Sequence, residues 1–408
     1  MFRLGNVEFK KPILMSSGPL TSKLWMLRKG EEAGFGGASI KLTFREVPFE
    51  TQMRSYSLPG QVILSPVDRR FGWEECVELL QAAKEEVSFP LFANFSALGS
   101  DLDEWCDLAT TFVDAGADAL ELNFCCPNLD VSKAGDVQES EHAGAIIGQD
   151  PELCRRITAA VTSCVTVPVV CKYVPNALEP RAVAGACEAG GADALHIVGE
   201  PISGLPPVDI YDAGRPMIPL MDTVAPGSTN GSICKYNTFM TVARARSVVS
   251  IPIIASGGID TWQDCVQMVM WGANLLALCS APMWFGWQVV TRMNEGIEDY
   301  LAETGREDLQ ELVGLSLQYL TPPDEARLVE GHAQVDGERC IGCGRCLWPA
   351  HCDAIDWDET TVTEDRDDLK VVVDAEKCIR CGICARLCPV GAISYVRDEV
   401  PTPTDAVS

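Results

Sequence analysis

FPLFANFSALGSDLDEWCDLATTFVDAGADALELNF, residues 89–124, contains one complete strand–helix–strand unit. Residues 89–95 and 118–124 are nearly continuous apolar runs, the pattern of parallel strands buried on both faces. Between them Trp105, Leu108, Phe112 and Val113 share one face of a helix over residues 103–116. Similar runs recur outward in both directions: PILMS (12–16), GASIKL (37–42), VPVVCKY (167–173), ADALHIV (192–198), IPIIASGG (251–258) and NLLALCS (274–280). Together these make eight strand candidates alternating with amphipathic stretches. Count and alternation predict an α/β fold, a (β/α)8 TIM barrel, over residues 1–325. The Pro- and Gly-rich residues 199–235 predict a long loop after strand six, on the catalytic face.

The tail reads differently. CIGCGRCLWPAHC supplies Cys340, Cys343, Cys346 and Cys352; CIRCGICARLCP supplies Cys378, Cys381, Cys384 and Cys388, followed by Pro389. The second run matches the bacterial ferredoxin spacing C-x2-C-x2-C-x3-C-P at every position. Two-residue gaps let one tight loop direct three thiolates at three irons of a cubane. The fourth cysteine of such a run ligates the other cluster. One [4Fe-4S] cluster is therefore expected on Cys340, Cys343, Cys346 and Cys388, and a second on Cys378, Cys381, Cys384 and Cys352. The first run departs from the pattern, because five residues separate Cys346 from Cys352 and no proline follows. A zinc site, with four ligands in two C-x2-C pairs, fits two triplets with trailing cysteines poorly. Residues 326–408 are thus expected to form a ferredoxin-like α+β domain. The other eleven of the 19 cysteines lie between Cys76 and Cys279, mostly in apolar runs, and read as buried inert thiols.

The 408 residues carry 32 Lys and Arg against 58 Asp and Glu, a net charge of −26. Nucleic acid and anionic membranes both demand clustered Lys and Arg, so neither is an expected partner. The opening MFRLGNVEFKKPILM has no apolar segment of signal-peptide length. Gln267, Gly272, Asn274 and Pro282 interrupt the apolar region from Val266 to Val290, which reads as a buried helix, a strand and the next element. A cytoplasmic protein is the expectation, its cysteines metal ligands or thiols.

Polar residues gather where the strands end: Ser17 after strand one, Lys41 at strand two, Asn94 at three, Asn123 at four and Lys172 at five. Ser256-Gly257-Gly258 closes strand seven and Cys279-Ser280 closes strand eight. Glycines after strand seven and small residues after strand eight form the phosphate grip of this fold. Two lysines at neighbouring strand ends suit a bound anion or an electron-rich ring. One strand-end lysine alone is commonly just solvated; seven convergent polar ends are harder to dismiss.

At these residues the chain resembles the dihydropyrimidine dehydrogenase family and its relatives, the dihydroorotate dehydrogenases. The resemblance rests on Ile40-Lys41, Asn94-Phe95-Ser96, ELNFCCPN (121–128), GQDPEL (148–153), KYVPN (172–176) and SGGI (256–259), with the cysteine-rich tail behind the barrel. It implies an FMN in the barrel mouth. Lys172 would face the N1 and O2 edge of the ring, and Lys41 and Asn94 would hydrogen-bond it. Gly257, Gly258, Cys279, Ser280 and Ser17 would hold the rest of the cofactor. Asn123 would face a small organic substrate beside the flavin, with catalytic roles for Asn123 and Lys172.

Three departures from the resemblance stand out. Relatives place a catalytic Cys, or in some branches Ser, before the GQDPEL segment; here Ile147 stands there and cannot move a proton. The preceding segment is longer than in close relatives and contains Ser140, Glu141 and His142, of which His142 is the candidate acid. Pyrimidine-binding relatives carry Asn followed by Thr or Ser after strand six, where this chain reads His196-Ile197-Val198-Gly199-Glu200. The expected substrate is therefore a C=C or CH–CH compound other than uracil or thymine.

No strand-turn-helix carries G-x-G-x-x-G, since GFGGAS (34–39) lacks the last glycine. Nicotinamide is not expected to bind this chain. Electrons are expected to pass through the clusters to or from an FAD/NAD(P)H flavoprotein subunit or a ferredoxin, within a homo- or hetero-oligomer. The alternative is an electron-transfer subunit with no substrate chemistry of its own.

Overall fold

The computed structural model describes residues 2–47, 53–99, 101–126, 144–173, 179–199, 202–349, 351–361 and 369–397. The chain divides into two compact units, Met1–Leu320 and Thr321–Ser408.

All eight strand candidates form strands of one closed parallel sheet in the first unit: β1 (Ile13–Met15), β2 (Ala38–Ser39), β3 (Leu91–Phe95), β4 (Ala119–Phe124), β5 (Val169–Tyr173), β6 (Ala194–Val198), β7 (Ile253–Ser256) and β8 (Leu275–Leu278). Each pairs with the next, and β8 returns to β1 through Leu276↔Ile13 and Leu278↔Met15. Helices α1 (Leu24–Ala33), α2 (Trp73–Glu86), α3 (Leu102–Asp114), α4 (Pro151–Cys164), α5 (Pro180–Ala189), α6 (Lys235–Arg246), α7 (Trp262–Met270) and α8 (Gln288–Glu303) alternate with the strands. The first unit is a (β/α)8 barrel.

The quoted stretch folds as its periodicity requires. Asp101 caps α3 by accepting the Glu104 N–H at 2.9 Å. Trp105, Leu108 and Phe112 are fully buried, and Trp105 and Phe112 pack on Phe95 at ring separations of 5.5 and 5.4 Å. Truncating Phe112 to Ala would cost about 3–5 kcal/mol. The GQDPEL segment is also explained locally. A Cβ on Gly148 would meet the Phe124 carbonyl oxygen at 2.3 Å, Asp150 caps α4 through the Leu153 N–H, and Pro151 occupies its first turn.

Inside the barrel the strand period of two separates an apolar floor from a polar upper layer. Leu14, Phe92, Ala119, Val170, Ala194, Ile254 and Leu275 pack below with Phe9 of the N-terminal hairpin. Two residues further along their strands come Asn94, Glu121, Lys172, His196 and Ser256, all buried.

One expectation needs correction. Residues 199–235 are not simply a loop: Ile202–Gly204 and Gly227–Asn230 are strands. They join Arg54–Leu58 and Val62–Val67 in a four-stranded antiparallel sheet. Its pairing, Thr229↔Leu64 for example, links segments more than 160 residues apart, which no local pattern encodes. Lys41 also lies two residues beyond the end of β2, in the link to Thr43–Phe44, which pairs with Phe71–Gly72.

The second unit is built on two antiparallel ribbons, Gly331–Val335 with Ile393–Arg397 and Ile355–Asp358 with Lys370–Val373, and carries the short helix Ile383–Leu387. It is a ferredoxin-type domain. Among the described residues no helix is long and apolar enough to cross a membrane.

Candidate active site

The strand ends open into a cavity enclosing about 1270 Å3 of space, part of it open to solvent. Ser17, Lys41, Asn123, Lys172, Gly257, Gly258, Cys279 and Ser280 all line it. Asn94 does not. It lies one layer below, accepting from Asn123 Nδ2 at 2.9 Å and donating to Glu121. It can act on a ligand only through Asn123. His142 and Glu200 fall outside the described residues, as do Ser140 and Glu141. Ile147 is fully buried in the core between sheet and helices, away from the cavity.

Two lysines enter this cavity almost without water contact, at 3% and 5% exposure for Lys41 and Lys172. Burial lowers the Lys41 pKa from its ordinary value, against the opposing pull of Asp68. Asp68 is ion-paired with Lys41 and with Arg70, whose Nη1 stands 3.1 Å away. Burial alone would raise the Asp68 carboxyl; the two cations outweigh it and hold it below the usual range. Lys172 Nζ lies 3.9 Å from Glu121.

Glu121 is the hub of the polar layer. It accepts from Ser39 Oγ at 2.5 Å, from Asn94 Nδ2 and from His196 Nδ1. Burial pushes its pKa up, but the His196 and Lys172 side chains and these hydrogen bonds pull it down to about 2. Burial also lowers His196, so the imidazole is neutral at neutral pH. A carboxylate only accepts, so Nδ1 carries the His196 proton and Nε2 accepts from Ser256 Oγ at 2.9 Å.

Nothing in the sequence pattern but position singles out Cys126 as a site residue. The tip of β4 presents it to the cavity, where Asn123 Oδ1 accepts both the Cys125 and Cys126 N–H groups, at 3.0 and 2.8 Å. Its Sγ lies 3.6 Å from Cys125 Sγ. That contact, with Arg70, Lys172 and Lys41 nearby, outweighs burial and lowers the thiol to about 6. Burial does the opposite to Cys76, raised to about 12, and to Cys171, and the Cys154 contact raises Cys187. Inert thiols describe those cysteines but not Cys126. The available signal was position: a cysteine just beyond a strand end that already carried Asn123.

The cavity suits an FMN by its chemistry. Ser16, Ser17, Ser256 and Ser280 line it together with Gly257 and Gly258, and buried Lys41 and Lys172 supply positive charge for an electron-rich ring. Gly257 and Gly258 have φ of +110° and +78°, and a Cβ on Gly258 would meet the Lys235 nitrogen at 2.4 Å. Their glycine identity is set by the backbone turn.

In the second unit Cys340, Cys343, Cys346 and Cys388 line one cavity of about 300 Å3. Cys352, Cys378 and Cys381 stand within electrostatic reach of Cys384. Among the described residues no three potential ligands converge on a single metal ion.

This barrel, with its polar strand ends and cysteine-lined second unit, is that of a flavin-type dehydrogenase joined to an iron–sulfur module. Residues 2–301 match the dihydroorotate dehydrogenase family, and the chain belongs to it; it is an oxidoreductase. Residues 339–392 match the 4Fe-4S dicluster domain. The chain is 28% identical over 372 residues to the NAD-dependent dihydropyrimidine dehydrogenase subunit PreA of Escherichia coli (strain K12), covering 88% of this chain and 87% of that protein. It is 29% identical over 327 residues to the catalytic subunit of dihydroorotate dehydrogenase B (NAD(+)) of Pyrococcus abyssi, covering 77% and 98%. The corresponding subunit of Methanothermobacter thermautotrophicus is 31% identical over 312 residues, covering 76% and 96%.

Proposed function

We propose that this chain is the catalytic subunit of an FMN- and iron–sulfur-dependent oxidoreductase acting on a C=C or CH–CH bond of a small organic substrate. The observation that carries the reading is the convergence of Lys41, Lys172, Asn123 and Cys126 on one cavity, in a chain that also has the eight-cysteine tail.

Lys41 and Lys172 would hold the ring of FMN, with Ser17, Gly257, Gly258, Cys279 and Ser280 at its phosphate side. Bound FMN supplies a carrier that exchanges hydride with a substrate and single electrons with clusters. Cys126, with a pKa near neutrality, holds or releases the proton that accompanies the hydride. Asn123 fixes the backbone of Cys126, and Glu121 balances the charge of Lys172. Cys126 thus supplies the proton-transferring group that Ile147 cannot, and favours a catalytic subunit over one that only passes electrons.

Two [4Fe-4S] clusters are assigned to Cys340, Cys343, Cys346 and Cys388, and to Cys352, Cys378, Cys381 and Cys384. The relatives' names describe subunits of NAD-dependent enzymes, which supports an FAD/NAD(P)H flavoprotein partner. Anaerobic purification tests the proposal. The protein should carry FMN and iron, and NADH should bleach the flavin only after such a partner is added. Fast NADH reduction of the isolated chain, or absence of flavin, would overturn it.

A further inference from the structure

We propose that Arg380 sets the reduction potential of the cluster bound by Cys378, Cys381 and Cys384, by holding a backbone N–H against the sulfur of Cys378. The proposal rests on the two-cluster reading above and concerns the second unit alone.

The two cysteine runs share their spacing up to the third cysteine, CIGCGRC (340–346) and CIRCGIC (378–384). Their backbones also correspond. Gly342 and Gly344 have φ of +64° and +66°; Arg380 and Gly382, at the matching places, have +64° and +83°. The residue before the second cysteine is thus left-handed in both runs. In the first run it is glycine, and a Cβ there would meet the Leu369 carbonyl oxygen at 2.1 Å, so no side chain fits. The second run puts an arginine into the same conformation, which is strained for any residue with a Cβ. A strained residue between two cluster ligands points to a task that glycine cannot perform.

The side-chain contacts identify that task. Arg380 Nε donates to the Gly331 carbonyl at 3.0 Å, and Nη2 is ion-paired with Glu330. Both contacts fall where the strand Gly331–Val335 begins. Gly331 enters that strand at φ +151°, and a Cβ on it would meet the Val396 carbonyl oxygen at 2.3 Å, so this end has no side chain of its own to anchor it. Two residues further on, buried Ala333 donates its N–H to Cys378 Sγ at 3.5 Å. Arg380 therefore ties the loop carrying Cys378 and Cys381 to the strand that donates to Cys378. It is a positioning residue, acting on the cluster through Ala333.

Reduction adds one electron to a cluster, and donors to its sulfurs stabilise the added negative charge. The clamp thus makes this cluster easier to reduce.

The test is an anaerobic redox titration of the full-length holoprotein with dithionite and mediators, followed by electron paramagnetic resonance. Arg380→Gly keeps the left-handed backbone and loses the clamp. It should disfavour reduction of one cluster roughly tenfold, a downward shift of about 59 mV for one electron, and leave the other cluster and the iron content unchanged. Arg380→Lys keeps the charge without the two-point contact and should shift the same cluster in the same direction. Unchanged potentials in Arg380→Gly, an equal shift of both clusters, or loss of iron overturns the proposal. A wild-type potential in Arg380→Lys also overturns it, since charge alone would then suffice. A wild-type protein with iron for one cluster only fails the two-cluster reading instead; the potential of that cluster in Arg380→Gly then still decides the role of Arg380.

Discussion

Asn123 Oδ1 accepts the backbone N–H of Cys126 at 2.8 Å, so the last inward residue of β4 holds the thiol that follows it. The hold extends inward, from Asn123 to Asn94, to Glu121, to His196 and to Ser256, in one unbroken chain of hydrogen bonds. Cys126 is thus anchored to the far wall of the barrel.

Cys126→Ala removes the proposed proton-transferring group. Turnover should fall by roughly 100- to 10,000-fold with FMN retained. In the wild type, the rate of Cys126 alkylation by iodoacetamide should rise with pH around a midpoint of about 6. Asn123→Ala should shift that midpoint upward, because the thiol loses its place against Cys125 and the cations. An unchanged midpoint in Asn123→Ala would show that the anchor does not set the thiol's ionisation.

The buried acid–imidazole pair makes the barrel acid-labile. Glu121 has a folded pKa of about 2, below its ordinary 4.5, so its stabilisation is present above 4.5 and lost as pH falls toward 2. His196 is also lowered, from 6.5; the unfolded chain binds its proton first, so stability begins to fall below pH 6.5. Glu121→Gln breaks the pair and should cost about 3 kcal/mol at pH 7. Urea unfolding of both proteins at pH 7 checks that loss, and a wild-type stability that stays flat from pH 7 down to pH 4 would contradict the acid lability.

Thr238 ties the two strand ends that border the cofactor side. Its Oγ1 donates to the Gly257 carbonyl at 2.8 Å, and it packs so close to Gly199 that no Cβ fits there. Gly199→Ala should therefore destabilise the protein by about 2–4 kcal/mol and lower its flavin content, since Thr238 must leave Gly257. Urea midpoints and flavin-to-protein ratios check both effects. Full flavin content in Gly199→Ala would mean that the turn at Gly257 does not depend on Thr238.

The crossed ligand assignment in the tail is separable by substitution. Cys388→Ala should remove the cluster of the first cysteine run, and Cys352→Ala the cluster of the second, each leaving about half of the iron. Iron analysis and electron paramagnetic resonance of the reduced proteins check it. Equal spectra for the two variants would contradict the crossing.

The barrel was legible because its strands are short apolar runs bracketing amphipathic helices, a signal carried by neighbours in sequence. DEWCDLATTFVDAG declares its buried face through Trp105, Leu108 and Phe112, and the structure buries all three. The cysteine spacing was equally local. Lys41, Asn123 and Lys172 could be placed because a strand's end is visible in the chain, and all three reach the cavity. What the chain does not announce is which polar groups meet across the barrel. Glu121 and His196 lie 75 residues apart and touch only because β4, β5 and β6 align them on one inward level. Asn94 looked like a ligand-facing group and is instead one layer deep, since a residue's depth below a cavity is set by sheet stagger. Arg70 lies outside the barrel strands and enters the site through Asp68 and Lys41. Sequence alone determined the elements and the tail's ligand spacing, through short-range hydrophobic and steric rules. Tertiary structure decided the charges around the cavity, because electrostatics depends on distance in space and on burial.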